Sequence, residues 1–187
     1  MAWYFYLIIV LAVVLVLFLL FTYNGLIRVR NQMKNAWAQI DVQLKRRHDL
    51  IPNLVETAKG YMTHERETFE SITKARNLAQ KAVGTGVGAQ SKAEGELSSV
   101  LSKLLMVVEN YPDLKANTNF LALQEELSST ENKIGFARQH YNDVTRIYNN
   151  RCQVVPTNIV AGMFGFATRD YFEIEEAEAR EAPTVKF

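Results

Sequence analysis

The chain has 187 residues, with 21 Lys and Arg residues against 20 Asp and Glu residues, so its formal net charge is +1. This balance lacks the basic excess that is typical of nucleic-acid binding, and we expect no nucleic-acid partner. A single cysteine excludes a disulfide framework within the chain.

The first element along the chain is an apolar segment. Residues 1–27 contain no charged side chain, and residues 3–23 are almost entirely hydrocarbon. A helix rises about 1.5 Å per residue, so residues 3–23 cover roughly 30 Å, the thickness of a bilayer's hydrocarbon core. The segment lacks the basic start and the small-residue cleavage site of a secretory signal. We therefore predict an uncleaved transmembrane anchor over residues 1–23, with the lipid bilayer as a partner.

Basic residues follow the anchor directly. Between Arg28 and Arg47 the sequence has six Lys and Arg residues and one acidic residue. By the positive-inside tendency, this predicts a single-pass protein with its N-terminus outside and its main domain in the cytoplasm. Arg28, Arg30 and Lys34 come first, and they either contact anionic headgroups or simply face solvent.

Four amphipathic segments follow, each with apolar residues at helical steps of three and four. The stripe of the first segment consists of Met33, Trp37, Ile40, Leu44, Ile51, Leu54, Ala58 and Tyr61. It keeps its phase across Pro52, which predicts a kinked helix that ends near Met62. Arg47 interrupts this stripe, and its side chain either pairs with a carboxylate such as Asp49 or Asp143 or extends outward to solvent.

The second and third segments have recognisable starts. Thr63 is the predicted N-cap of the second helix, whose stripe is Phe69, Ile72, Ala75, Ala79 and Val83. The glycine-rich residues 84–88 predict a joint between helices, since no strand precedes them and no Lys-Ser/Thr follows. Ser91 and Glu94 match a capping box for the third helix. Its stripe is Ala93, Leu97, Val100, Leu104, Val107 and Tyr111.

The fourth segment is the longest after the anchor. Its stripe is Phe120, Leu123, Leu127, Thr130, Ile134, Ala137, Tyr141, Val144 and Tyr148, and the helix should end before Pro156. Short joints between amphipathic helices favour an antiparallel packing. The predicted fold is therefore all-α: one N-terminal transmembrane helix that continues into an antiparallel four-helix bundle over residues 24–156.

Residues 157–187 form a tail of different character. Its apolar part contains Ile159, Met163, Phe164 and Phe166, which either close the end of the bundle or stay exposed to contact a partner or the bilayer surface. An acidic run over residues 173–181 follows, and we expect it to be a solvated helix or a frayed end.

No constellation of residues predicts an enzyme. None of the three histidines has a glutamate three residues earlier, as a metal site in a helical bundle usually requires. Cys152 has no neighbouring histidine, so a structural thiol is the better interpretation. We predict a non-enzymatic protein with no catalytic residue, no metal and no cofactor.

Four stretches of the chain resemble the LemA family. They are residues 39–56 (QIDVQLKRRHDLIPNLVE), residues 123–134, which hold LQEEL and TENKI, residues 137–143, which hold AR and YND, and the apolar residues 159–166, which Tyr171 and Phe172 follow. The resemblance implies a bacterial inner-membrane protein with one anchor and a cytoplasmic helical bundle. It implies no established activity. The family's genes often lie near those of membrane proteases or TPM-domain proteins, which implies a partner of such a kind.

Polar residues in these stretches are more numerous than solubility needs. They form either a buried network that fixes helix register or a recognition face on the outside of the bundle. The residues are Gln43, Arg47, His48, Asp49, Asn53, Glu126, Glu131, Asn132, Arg138, Asn142 and Asp143. The resulting hypothesis is a membrane-anchored scaffold or adaptor that binds another membrane protein or assembles with itself. The alternative is an accessory subunit of a membrane protease in envelope maintenance.

Overall fold

The computed structural model describes residues 2–173, and it contains six helices and no strand within that range. The helices are α1 (Ala2–Lys59), α2 (Arg66–Ala82), α3 (Val87–Val108), α4 (Pro112–Lys115), α5 (Thr118–Gln153) and α6 (Thr157–Met163). The predicted all-α class is confirmed. From residue 174 onward, the predicted acidic run lies outside the described residues.

A single helix, α1, contains both the apolar segment and the first amphipathic segment. Its apolar part is long enough and apolar enough to cross a membrane, by length and composition, and its side chains from Trp3 to Phe18 are exposed. The helix continues through Pro52, and Ile51 and Leu54 on either side of the proline are both buried. It ends at Lys59, three residues before the predicted end, and Met62 rather than Tyr61 completes the buried stripe.

The described chain divides into two compact units. The first consists of residues 2–39 with 137–170, and the second consists of residues 40–136 with 171–173. The long helices α1 and α5 each contribute to both units.

Five helices of the second unit share a hydrophobic core. Its completely buried side chains are Ile51, Leu54 and Ala58 of α1, Ile72 and Ala79 of α2, Leu97 and Leu104 of α3, Leu114 of α4 and Phe120 of α5. The predicted stripe of α2 is confirmed from Phe69 to Ala79, whereas Val83 lies beyond the helix and is exposed. Apolar burial is the main favourable term in folding, so these positions set the stability of this unit.

Two predicted helix starts are wrong. Glu65, not Thr63, is the N-cap of α2. The third helix begins at Val87, directly after Gly86, whose φ of 124° is a conformation that glycine adopts readily. The proposed capping box of Ser91 and Glu94 therefore lies inside the helix, and both side chains are buried.

The buried face of α3 also differs from the predicted stripe by one residue at several steps. It consists of Gln90, Ser91, Glu94, Leu97, Leu101, Leu104 and Val108. Ala93, Val100, Val107 and Tyr111 are only partly buried, at the edge of the core. The face that packs inward is thus more polar near the start of α3 than the sequence pattern suggested.

The first unit joins the end of the apolar segment to α5 and α6. Val160 and Ala161 of α6 are buried against Leu26, next to Leu19 and Tyr23. The Arg151 Nη1 donates a hydrogen bond to the Gly25 carbonyl at 3.1 Å, and a Cβ at Gly25 would lie 3.1 Å from the same nitrogen. Helix α5 ends at Gln153, before Pro156 as predicted, but α6 as a separate helix was not predicted.

Residues after α6 are held against α5 by side-chain bonds to their backbone. The Asn149 amide donates to the Arg169 carbonyl at 2.9 Å and accepts from the Arg169 N–H at 2.8 Å. The Tyr141 hydroxyl donates to the Asp170 carbonyl at 3.1 Å. A segment without regular structure thereby receives a fixed position along the helix.

The shared core generates a stability prediction. Leu104→Ala should lower the free energy of unfolding of the full chain by about 2–5 kcal/mol, because it leaves a cavity among fully buried neighbours. Met106→Ala on the same helix is the control. Because Met106 is 65% exposed, this substitution should change the free energy of unfolding by less than about 0.5 kcal/mol. Urea unfolding in detergent micelles, followed by circular dichroism, measures both. Equal losses would contradict the position of the core.

Candidate functional site

The centre of the second unit is a buried arginine. Arg47 is 1% exposed and lies on the core stripe of α1, between Leu44 and Ile51. Its Nη1 donates to Glu131 Oε2 of α5 at 2.7 Å and to Ser98 Oγ of α3 at 2.9 Å. Its Nη2 donates to the Glu94 carboxylate of α3. One guanidinium therefore connects three helices, which its planar fork of donors permits.

The carboxylate of Glu94 is the main counter-ion inside the core. Like Arg47, Glu94 is 1% exposed, and the His48 Nε2 lies 3.0 Å from its second oxygen, Oε1. Burial raises the pKa of the Glu94 carboxyl, but the His48 imidazole and the Arg47 guanidinium lower it by more, so the pKa lies below its ordinary value. The carboxylate is thus held in its charged form.

Further polar contacts surround the buried charges. On the α2 side, Arg76 Nε donates to the His48 carbonyl at 2.7 Å. The Gln90 side-chain amide donates to Asp41 Oδ1 at 3.3 Å. We call Arg47, His48, Glu94, Ser98 and Glu131 the charge cluster. With the bond from Arg76, it connects segments of all four main helices of the second unit.

The structure divides the residues predicted for the polar network into four groups. Arg47, His48 and Glu131 belong to the charge cluster, while Glu126 pairs on the surface with Arg46. The half-buried group is Gln43, Arg138 and Asn142, and the exposed group is Asp49, Asn53, Asn132 and Asp143. Asp143 lies 3.6 Å from Arg146 in a surface pair. Arg47 does pair with carboxylates, which was one of the two alternatives, but its partners are Glu94 and Glu131 and not Asp49 or Asp143.

Sequence reasoning missed Glu94 as a member of the cluster. Glu94 follows Ser91 in a Ser-x-x-Glu pattern, which matches a capping box, so its position was explained by the start of a helix and not by burial. A signal was nevertheless present. Counting back from Leu104 in steps of three and four gives Leu101, Leu97, Glu94 and Gln90, so a carboxylate occupies a core position of α3 just as an arginine occupies a core position of α1.

The residues predicted for lipid or partner contact lie in the first unit, either on α1 or on and directly after α6. Arg28 and Lys34 are exposed, and the Arg30 guanidinium lies 5.3 Å from the centre of the Phe166 ring. Phe166 is half-buried, so it does help to close this end. Ile159, Met163 and Phe164 are 60%, 65% and 54% exposed, so they do not.

The chemistry available at other sites is limited. Among residues 2–173, no group of three or more His, Cys, Asp and Glu side chains is placed to hold a metal ion. Burial raises the pKa of the Cys152 thiol, which lies next to Tyr148, and a protonated thiol is a poor nucleophile.

Sequence comparisons identify relatives of this chain. A sequence model of the LemA family matches residues 36–187. Protein LemA of Metamycoplasma hominis is 29% identical over 86% of this chain and 73% of its own length. Magnetosome protein MamQ 2 of Paramagnetospirillum magneticum is 24% identical over 89% of this chain and 70% of its own, and magnetosome protein MamQ of Magnetospirillum gryphiswaldense is 22% identical over the same shares.

The long apolar helix and these relatives together define a membrane-associated, all-helical protein whose core contains a neutralised charge. The match extends over most of the chain and includes every helix that forms the charge cluster. The chain belongs to the LemA family.

Two adjacent arginines allow a matched test of the charge cluster. Arg47→Met should lower the free energy of unfolding by about 3–5 kcal/mol, because it leaves the Glu94 carboxylate buried without its main partner. Arg46→Met removes only an exposed pair with Glu126 and should cost at most about 1 kcal/mol. The double variant Arg47→Met/Glu94→Met should recover most of the loss. Equal effects of the two single variants in urea unfolding would refute the buried role.

The lowered pKa of Glu94 generates a pH prediction. The ordinary carboxyl ionises near pH 4.5, so the stabilisation by Glu94 should be complete above that pH and should disappear as the pH falls through the lower pKa of the folded state. The stability difference between the native chain and Glu94→Gln should therefore be large at neutral pH and shrink in acid. Glu96→Gln, an exposed position of α3, should change stability little throughout. A difference that grows in acid would reverse the assigned sign.

Proposed function

We propose that this protein is a non-enzymatic, membrane-anchored helical scaffold or adaptor, which binds another membrane protein or assembles with itself. Its place is the bacterial inner membrane, with the N-terminus outside and the bundle in the cytoplasm. The basic residues that follow the apolar segment support this orientation.

The observation that carries the proposal is the division of the polar residues into an ion-paired group inside the bundle and an exposed group on its surface. The charge cluster meets the internal needs of Arg47 with Glu94 and Glu131. Asp49 and Asn53 are not part of it. They lie four residues apart on α1, so they share one exposed helix face, and this face is available for recognition.

A rigid interior makes the exposed face of Asp49 and Asn53 better suited to recognition. A buried arginine that is ion-paired with two carboxylates tolerates few alternative helix registers, because a shift would leave the guanidinium without those carboxylates. Surface residues on the same helix then keep constant relative positions. Preorganised side chains lose less entropy when a partner binds.

The relatives also support a structural role. Two of them are named after the magnetosome, a cellular structure, and neither name refers to a reaction. A role in assembly fits such names better than a role in catalysis. The alternative, an accessory subunit of a membrane protease, rests on the gene neighbourhood that the LemA family implies.

Crosslinking in native membranes, followed by mass spectrometry, tests the proposal. We expect the full chain to be captured with copies of itself or with another membrane protein. The variant Asp49→Ala/Asn53→Ala should lose most of this capture with an unchanged unfolding midpoint, because both side chains are exposed. Glu96→Ala/Lys103→Ala, at exposed positions of α3, is the matched control and should be captured normally.

The captured partner distinguishes the scaffold role from the accessory role. Crosslinks mainly between copies favour a scaffold, and a protease as the main partner favours the accessory role. Normal capture of Asp49→Ala/Asn53→Ala would contradict the recognition face. Turnover of a substrate by the purified full chain would contradict the non-enzymatic assignment.

A further inference from the structure

The exposed side of α6 lies next to the end of the apolar segment. The buried side of α6, Val160 and Ala161, contacts a small cluster with Leu19, Tyr23 and Leu26 of α1. Leu19 and Tyr23 belong to the apolar segment of residues 3–23. Because of these contacts, α6 lies beside the last turns of the apolar segment, which is the part of α1 that enters the lipid.

Three large apolar side chains of this region are more than half exposed. Ile159 and Met163 lie four residues apart, so they share one face of α6. Phe164 follows at the end of the helix, with its ring centre 4.8 Å from that of Tyr23. We call Ile159, Met163 and Phe164 the α6 patch. It is continuous, through Tyr23, with the surface that faces the lipid.

We propose that the α6 patch lies in the bilayer interface and gives the protein a second membrane contact beside the transmembrane segment. Short amphipathic helices with one apolar face bind membranes in this way, with that face about 5–10 Å into the boundary between headgroups and acyl chains. Aromatic rings such as Tyr23 and Phe164 favour the same layer.

The neighbouring charges suit this position. Arg28 and Lys34 are exposed one to three turns beyond Tyr23, where anionic headgroups lie, and the Arg30 guanidinium covers one face of Phe166. The backbone at the end of α6 is also satisfied within the chain. The Phe164 N–H donates to the Val160 carbonyl at 3.1 Å, and the Phe166 N–H donates to the Ala161 carbonyl at 2.9 Å. Apolar surroundings therefore leave these amide groups paired.

A depth measurement tests the proposal with the full chain in lipid nanodiscs that hold one copy each. Met163→Cys in a Cys152→Ser background carries an environment-sensitive fluorophore, and Gln139→Cys is the matched control. Gln139 is exposed on α5, about 21 Å along the helix from Gln153 at 1.5 Å per residue. Lipids with a quenching group near the headgroup should quench the label at residue 163 at least about twofold more than the label at residue 139, as interfacial depth requires.

A second measurement needs no substitution. A photoactivatable phosphatidylcholine in the same nanodiscs should crosslink to residues 159–164 of the native chain, in addition to the transmembrane segment. The proposal would be overturned if lipid did not quench the label at residue 163 and did not crosslink to residues 159–164. A further sample uses nanodiscs that hold two copies each. If the label at residue 163 is shielded from water in this sample without being quenched by lipid, the proposal is also overturned, because that result assigns the α6 patch to contact with a second copy of the chain. Neither measurement depends on a protein partner, so the scaffold proposal stands or fails separately.

Discussion

An arginine inside a hydrophobic core must be neutralised, and this constraint organises the rest of the structure. Arginine is a cationic side chain, so the burial of Arg47 requires carboxylates at fixed distances. Glu94 and Glu131 meet this requirement from α3 and α5, and His48 lies against the other side of Glu94. An apolar contact tolerates some sliding, whereas a buried ion pair does not. The helices of the second unit therefore have one register in which the charges are satisfied.

The helical stripes could be predicted from the sequence because they depend on local periodicity. Ile72, Phe120 and Ile134 were all assigned to buried faces, and all are buried. The role of Glu94 could not be predicted in the same way. Its partner is 47 residues away along the chain, and its neighbours offer a local explanation as a helix cap. Burial of a polar group depends on which helices meet, and sequence spacing alone does not contain that information.

The juxtamembrane region shows a different limit of sequence reasoning. The apolar character of residues 159–166 was visible in the sequence, which left two placements open, with closure of the bundle's end the favoured one. The structure divides these residues: Val160, Ala161 and half of Phe166 are covered, while Ile159, Met163 and Phe164 face outward. A seven-residue helix has room for both a packed side and an open side, so neither placement describes the whole segment. The side chains on the exposed side of α6 therefore contact surroundings that are outside the polypeptide.

The bond between Arg151 and Gly25 has a consequence for bilayers of different thickness. Gly25 lies two residues after Tyr23, and the absence of a side chain there leaves space for a guanidinium close to the helix backbone. Because that cation is permanent, sliding α1 deeper would carry it into hydrocarbon at considerable cost. A thicker membrane must then adapt around the helix by local thinning, and a thinner one by helix tilt. The arginine acts as a stop that fixes immersion depth.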